Sequence, residues 1–281
     1  MRELSATAVQ SAVAAMVIDA NCRISPHVLQ QMEHCRAEEE QPLAASILGR
    51  IIENDRLAAE RCVPMCQDTG MAVFRVQLGQ ELHITGGSLE AAIQEGVRQG
   101  YREGYLRKSV VADPVFHRDN TGDNTPAVIY YELTEGDRLT LTFAPKGFGS
   151  ENMSLIQMLK PADGVEGFKK FVIETVRLAG SNPCPPIVLG VGVGGSFDKV
   201  AYLAKKALLR PLDVPNPDPY YADLEKELLM AINELGIGPQ GFGGRTTCLG
   251  LAIEQMPTHV AGLPVAVNVS CHVTRRASAA L

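Results

Sequence analysis

The chain has 281 residues and a formal net charge of -6, a length that buries a core for one large domain or two modest ones. Its cations are scattered (Arg107-Lys108, Lys169-Lys170, Lys205-Lys206, Arg275-Arg276), which leaves no basic stripe for nucleic-acid phosphates to follow. No apolar run reaches the ~18 residues of a membrane span. The N-terminal stretch, interrupted by Glu3 and Asp19, reads as an amphipathic helix rather than a signal peptide, so the expected location is the cytoplasm.

Residues 1–62 read as helical, with apolar positions at helical spacing through VLQQMEHCRAEE and LAASILGRIIENDRLAAERC. At MAVFRVQLG the period changes to alternation, which predicts a strand. SLEAAIQEGVRQGYREGYLR predicts a helix with Ser88 as its N-cap. Residues 110–160 read as strands and turns, and AVIYYELTEGDRLTLTFAP predicts a hairpin around TEGD. The loop KGFGSEN, a helix through VEGFKKFVIETVRLAG and the turn NPCPP follow. IVLGVGVGGSFDKVAYLAKKALLR reads as strand, glycine turn and helix, YYADLEKELLMAINELG as a helix ending at Gly236, and LPVAVNVSC as a strand. PLDVPNPDP is the one linker-like stretch. The expected class is α+β, a helical N-terminal region followed by mixed helices and largely antiparallel sheets. The expected organisation is a single domain over 1–281 with 1–62 as its helical subregion.

Seven cysteines, an odd number and dispersed, do not form the framework of a small secreted disulfide protein. The default for each is a small buried apolar side chain, and Cys22, Cys35 and Cys62, in or beside predicted helices, keep that reading. Three depart from it. Cys66 lies in the turn-forming PMCQDTG, Cys184 between prolines in NPCPPI, and Cys271 at the end of the AVNVSC strand. Three thiolates at element edges could ligate an iron–sulfur cluster with one iron left open. Long spacing alone is weak support, and Cys62 with Cys66 as a C-x3-C pair leaves a local metal or redox site as an alternative. Zinc would want more short-range Cys/His pairs.

The motifs CQDTG, KGFGSEN, NPCPP, GIGPQGFGG and PTHVAGLPVAVNVSC, in this order and over about residues 5–279, resemble the α portion of the class I iron–sulfur hydro-lyases. That family comprises class I fumarases and L(+)-tartrate dehydratases. The resemblance implies a [4Fe-4S] cluster held by Cys66, Cys184 and Cys271, with the open iron facing a dicarboxylate substrate. It implies Asp68 as acid/base residue, since removing a carbon-bound proton beside a carboxylate needs a positioned base; by itself, Asp68 would read as an Asx-turn residue. Gln67 and Thr69 would lie against substrate, Arg107 would clamp a carboxylate with its planar guanidinium, and Gly149 would let backbone N–H approach. His259 would be an active-site histidine. Asn124 and Lys146 fit as supporting polar groups, and Cys248 matches no ligand motif and stays structural.

Single-chain class I fumarases continue into a β-type portion carrying further arginines, a lysine and a catalytic threonine, whereas this sequence stops ten residues after Cys271. The expectation is therefore a two-subunit enzyme whose separate β subunit completes the site, with this chain alone inactive or nearly so. The KGFGSEN loop resembles the fumarase branch more than the tartrate branch, which favours reversible hydration of fumarate to malate, a tricarboxylic acid cycle step. The α subunit of L(+)-tartrate dehydratase is the alternative. Two other readings carry less. VLGVGVGGSFDKVAYLAKKA has G-x-G-x-G-G spacing rather than that of a dinucleotide-binding turn, and a non-catalytic redox-sensing or scaffold subunit would not need a carboxylate beside the ligand.

Overall fold

The computed structural model describes residues 2–281. Its elements are, in order, β1 (Arg2–Ser5), α1 (Ala6–Cys22), α2 (Pro26–Glu38), α3 (Pro42–Arg61), β2 (Met71–Gly79), β3 (Leu82–Thr85), α4 (Leu89–Glu103), β4 (Val128–Thr134), β5 (Leu139–Lys146), α5 (Phe148–Glu151), β6 (Leu155–Leu159), α6 (Gly164–Ala179), β7 (Ile187–Gly195), α7 (Phe197–Ala207), α8 (Pro219–Asn233), β8 (Cys248–Thr258), β9 (Leu263–Ser270) and β10 (Ala277–Ala280). This is an α+β fold. The sheets are more mixed than expected, with four antiparallel and three parallel strand pairings among the described residues. The chain divides into two compact units. The first takes residues up to Ser25, Asn54–Phe148 and Arg275–Leu281, and the second takes Pro26–Glu53 and Gly149–Thr274.

In the first unit, Ser5 caps α1 by accepting from Ala8 N at 3.2 Å, and Ser88 caps α4 by accepting from Ala91 N at 3.2 Å, as its sequence predicted. Val9, Val13 and Val17 of α1 and Ile93, Val97 and Tyr101 of α4 cover a sheet of order β10-β5-β2-β4. Strand alternation points Phe74 of β2 and Phe143 of β5 at this core, directly paired with ring centroids 4.9 Å apart.

The predicted β4–β5 hairpin is not formed. β2 lies between the two strands, parallel to β4 (Phe74↔Ile129) and antiparallel to β5 (Phe74↔Phe143). The chain between β4 and β5 crosses the end of β2, where Gly79 N donates to Arg138 O at 2.8 Å and Glu81 N to Gly136 O at 2.9 Å. A Cβ at Gly79 would lie 2.4 Å from Gly136 O, so the crossing needs glycine there. Alternation in a sequence locates two strands but does not reveal a third that intervenes from an earlier segment.

The second unit is built on a sheet of order β6-β9-β7-β8. Strand β7 is buried on both faces. Ile187, Leu189, Val191 and Val193 pack with Phe168, Val172 and Val176 of α6 and Leu228 and Ile232 of α8. Its opposite face carries glycines because α7 lies directly on it. A Cβ would be 2.1 Å from Ala204 O at Gly190 and 2.3 Å from Val200 O at Gly192. The glycine run that imitates a nucleotide-binding turn is thus a seat for a helix backbone. Among the described residues, no helix is long and apolar enough to cross a membrane. Gly192→Ala is expected to lower the unfolding free energy by about 2 kcal/mol through overpacking, read by urea denaturation; an unchanged midpoint would contradict this seating of α7 on β7.

Candidate functional site

Between α3 and β2, residues 62–70 form a loop in the first unit held almost entirely through its backbone. Met65 N donates to Asn21 O at 3.1 Å, and Asn54 Nδ2 donates to Met65 O at 2.9 Å. Arg275 is buried and donates from Nη2 to Asp68 O at 2.7 Å and from Nη1 to Asn21 Oδ1 at 3.1 Å. The buried Tyr101 hydroxyl lies 2.9 Å from Thr69 O and 2.7 Å from Gly70 O. Burial raises the Tyr101 phenol far above its ordinary value, which keeps the donor proton in place. Asn124, also buried, joins two segments by donating from Nδ2 to Gly70 O at 3.2 Å and accepting at Oδ1 from Ser109 N at 2.7 Å.

This scaffold leaves three side chains of the loop to act. Cys66 is half-buried, with Sγ 3.6 Å from the Oε1 of the exposed Gln67. Asp68 is half-buried and anchored at both oxygens. Its Oδ1 accepts from Gly70 N at 3.0 Å, as an Asx-turn residue would, while Oδ2 accepts from Phe148 N at 2.9 Å. Each carboxylate oxygen retains a lone pair, so the group is oriented and still able to take a proton. The buried Thr69 hydroxyl donates to Arg107 O at 3.0 Å and so holds the Arg107 backbone. The Arg107 side chain is exposed. Lys146, at the end of β5 opposite Met71, is buried with Nζ 3.3 Å from Gly147 O.

In the second unit, Cys184 is exposed on the turn between α6 and β7, with a left-handed backbone (φ 55°) and its N–H donating to Ser181 O at 3.1 Å. The GIGPQGFGG motif braces this turn. Gln240 donates to Pro185 O twice, from its backbone N and from Nε2, each at 2.8 Å. Cys271 is half-buried and directly follows β9. Strands β7 and β9 are antiparallel neighbours with Val188 opposite Ser270, so Cys184 and Cys271 leave the same end of the sheet. Beneath that end, Glu151 of α5 accepts from Lys205 at 2.6 Å and from Asn268 at 2.9 Å, and Asn268 also donates to Ser154 Oγ at 2.9 Å. Gly149 is exposed, with open space where a Cβ would be.

His259 is not brought to this end. It sits on the exposed turn before β9, with Nδ1 accepting from Ala261 N at 3.2 Å. The eight residues of β9 separate it from Cys271, about 26 Å of extended strand. His259 therefore stands at the other end of β9 from Cys271. The interval in sequence looks short, but a fully extended strand converts it into a large distance.

The cysteines sort by surroundings. Burial pushes the thiols of Cys22 and Cys248 up to about 12, and raises that of Cys35 as well; these are poor ligands and reluctant thiolates. Cys62, expected to be buried, is exposed just beyond α3. Cys66, Cys184 and Cys271 each stand at the edge of an element with surface access, and no disulfide ties up any of the seven. Soft thiolate sulfur suits transition-metal or iron–sulfur ligation rather than a hard cation. Neither unit by itself gathers three or more His, Cys, Asp or Glu side chains as a ligand group among the described residues. Tyr101, Arg275, Asn21 and Gln240, which hold these loops, were not legible as site residues, because each serves a backbone group far from it in sequence.

The family described as fumarate hydratase (fumerase) matches residues 10–280. A protein of Methanocaldococcus jannaschii, provisionally named L(+)-tartrate dehydratase subunit alpha, is 41% identical over 255 residues, covering 89% of this chain and 89% of its own. The L(+)-tartrate dehydratase subunit alpha of Escherichia coli strain UTI89 is 32% identical over 256 residues, covering 90% of this chain and 84% of that protein. Its counterpart in strain K12 is 31% identical over the same span.

One titratable group beside the loop bears on stability. Asp55 is buried next to Asn54, and its Oδ2 has no hydrogen-bond partner. Burial raises its carboxyl from 3.8 to about 6, against smaller lowering effects of the Asn54 amide and the Arg275 charge. With the folded-state value above the unfolded one, the contribution of Asp55 to stability is greatest below about pH 4 and falls away as the pH rises through about 6. Asp55→Asn is expected to remove this slope, giving about 3 kcal/mol relative to wild type near neutral pH and a vanishing difference in acid. Urea denaturation of both proteins across that range checks it, and parallel pH profiles would refute it.

Proposed function

The chain belongs to the fumarase-type class I hydro-lyase α-subunit family, and from that premise we propose that it is the α subunit of a [4Fe-4S] hydro-lyase that reversibly hydrates fumarate to malate. The observation that carries the reading is the 62–70 loop, where an accessible thiol, an amide and a carboxylate anchored at both oxygens stand on three consecutive residues. Cys66, Cys184 and Cys271 would hold the cluster. When bound, it supplies a Lewis-acidic iron, left open by a three-cysteine ligand set, that polarises the substrate hydroxyl or carboxylate.

The chain's own residues do the rest. In the dehydration direction Asp68 takes the proton from the carbon beside a substrate carboxylate. Its two backbone hydrogen bonds fix where Oδ1 and Oδ2 point, so orientation is established before substrate arrives. In hydration the same carboxyl returns that proton to carbon. The Gln67 amide hydrogen-bonds a substrate carboxylate, and the Arg107 guanidinium, carried on the backbone that Thr69 holds, takes a carboxylate in two bonds. Gly149 lets its segment's backbone approach the substrate. The relatives are named α subunits, which supports a β subunit here that contributes the remaining binding and catalytic groups.

A second reading, L(+)-tartrate as substrate, is favoured by the names of those relatives. The two substrates differ by one hydroxyl, and a site built to hydrogen-bond it discriminates strongly. The ratio of kcat/KM for malate and tartrate, measured on the anaerobically purified complex with its β chain, decides between them. Asp68→Asn is expected to lower kcat by about 10²–10⁴ with iron and sulfide content retained. Cys66→Ser, Cys184→Ser and Cys271→Ser are each expected to lose the cluster. No iron in wild type after anaerobic reconstitution, or full turnover in Asp68→Asn, would sink the proposal.

A further inference from the structure

The first unit holds another pair of thiols that the hydro-lyase reading does not use. Cys22 ends α1, and Cys62 follows α3 forty residues later, yet their sulfurs stand 3.7 Å apart. Cys62 is exposed on a left-handed backbone (φ 51°), while Cys22 is buried. We propose that Cys22 and Cys62 form an oxidation site for hydroperoxides, in which the exposed Cys62 sulfur reacts first and the buried Cys22 closes the pair to a disulfide.

The two roles follow from access. A peroxide in solution reaches Cys62 and not Cys22. Burial, then the hydrogen bond with Cys62, pushes the Cys22 thiol up to about 12, so it remains protonated until a reactive sulfur lies against it. In the first step Cys62 gives up its proton and the thiolate attacks one peroxide oxygen; the O–O bond breaks, and the departing alkoxide or hydroxide takes up that proton as an alcohol or water, leaving a sulfenic acid. In the second, the S–S bond forms as the S–O bond breaks, and water leaves carrying the Cys22 proton. The sum is two thiols and one hydroperoxide giving one disulfide, one alcohol (or water) and one water.

The surrounding structure suits that closure. Met65 N already donates to Asn21 O at 3.1 Å, so the chain just after Cys62 is tied to the residue just before Cys22 whether or not the sulfurs are bonded. Val63 N donates to Ala58 O at 3.1 Å, fixing the exit from α3. Closing the sulfurs from contact to a bond of about 2.05 Å falls to the exposed Cys62 side chain, which has room to rotate. The competing partner is Cys66, four residues on in the same loop. Its Sγ contacts Gln67 Oε1 instead.

The full chain, kept anaerobic, would be treated with a small excess of hydrogen peroxide, alkylated, and digested without reductant for peptide mass spectrometry. The expected result is a Cys22–Cys62 linked peptide, loss of two hydrogens from the intact chain, loss of alkylation at both residues, and full reversal by dithiothreitol. Cys62→Ser should abolish the mass loss, and Cys22→Ala should leave a Cys62 sulfenic acid that dimedone captures. A link from Cys62 to Cys66 would overturn the proposal. So would wild-type Cys62 running on to sulfinic acid while Cys22 stays alkylatable. If Cys22→Ala does not fold, the wild-type peptide map and Cys62→Ser decide the matter by themselves. None of these readouts depends on hydro-lyase activity.

Discussion

The backbone of residues 65–70 belongs to no helix or sheet and is buried at Met65, Thr69 and Gly70, so its amides and carbonyls there must find partners elsewhere. An unsatisfied buried polar group costs about 1–3 kcal/mol, and the unit meets the demand from five other places in the chain. Asn21 accepts from Met65, Asn54 donates to Met65 O, Tyr101 bridges Thr69 O and Gly70 O, Asn124 donates to Gly70 O, and Arg275 reaches Asp68 O. The loop is therefore rigid for reasons separate from its chemistry. Because the backbone is held from within, Cys66 and Gln67 face outward and the Asp68 carboxylate is left with a fixed direction, set by Gly70 N and Phe148 N.

The second unit solves a similar problem with different parts. Prolines on both sides of Cys184 remove backbone donors and restrict the chain, and the turn is then gripped at Pro185 O by both nitrogens of Gln240. Cys271 needs no such device, since a central strand delivers it. Antiparallel pairing of β7 and β9 makes the beginning of one strand the neighbour of the end of the other, and this register alone carries the two cysteines to one edge. The same geometry sends His259 to the opposite end of β9.

Chemical roles among the seven cysteines follow from where each element stops. Those within packed elements have thiols held protonated by burial. Those just past an element's end are at least partly exposed. Cys62 and Cys66 lie in one short loop yet face different neighbours, Cys22 in one case and Gln67 in the other. A loop braced through its backbone can hold two thiols four residues apart in separate environments.

What the sequence determined by itself was local. Periodicity located the helices and strands, Ser88 announced its cap, and five short motifs carried the resemblance to a hydro-lyase α subunit. Proline and glycine around Cys66 and Cys184 marked them as loop residues. These signals are readable because each arises within a few residues along the chain. The tertiary structure decided everything that depends on partners distant in sequence. It inserted β2 between β4 and β5, turned the Thr69 hydroxyl toward Arg107, and made the Gly190 and Gly192 positions a bed for α7. It also placed Cys22 against Cys62. Pairing between separate elements is chosen by which buried surfaces and backbone groups satisfy one another, and no local pattern encodes that choice.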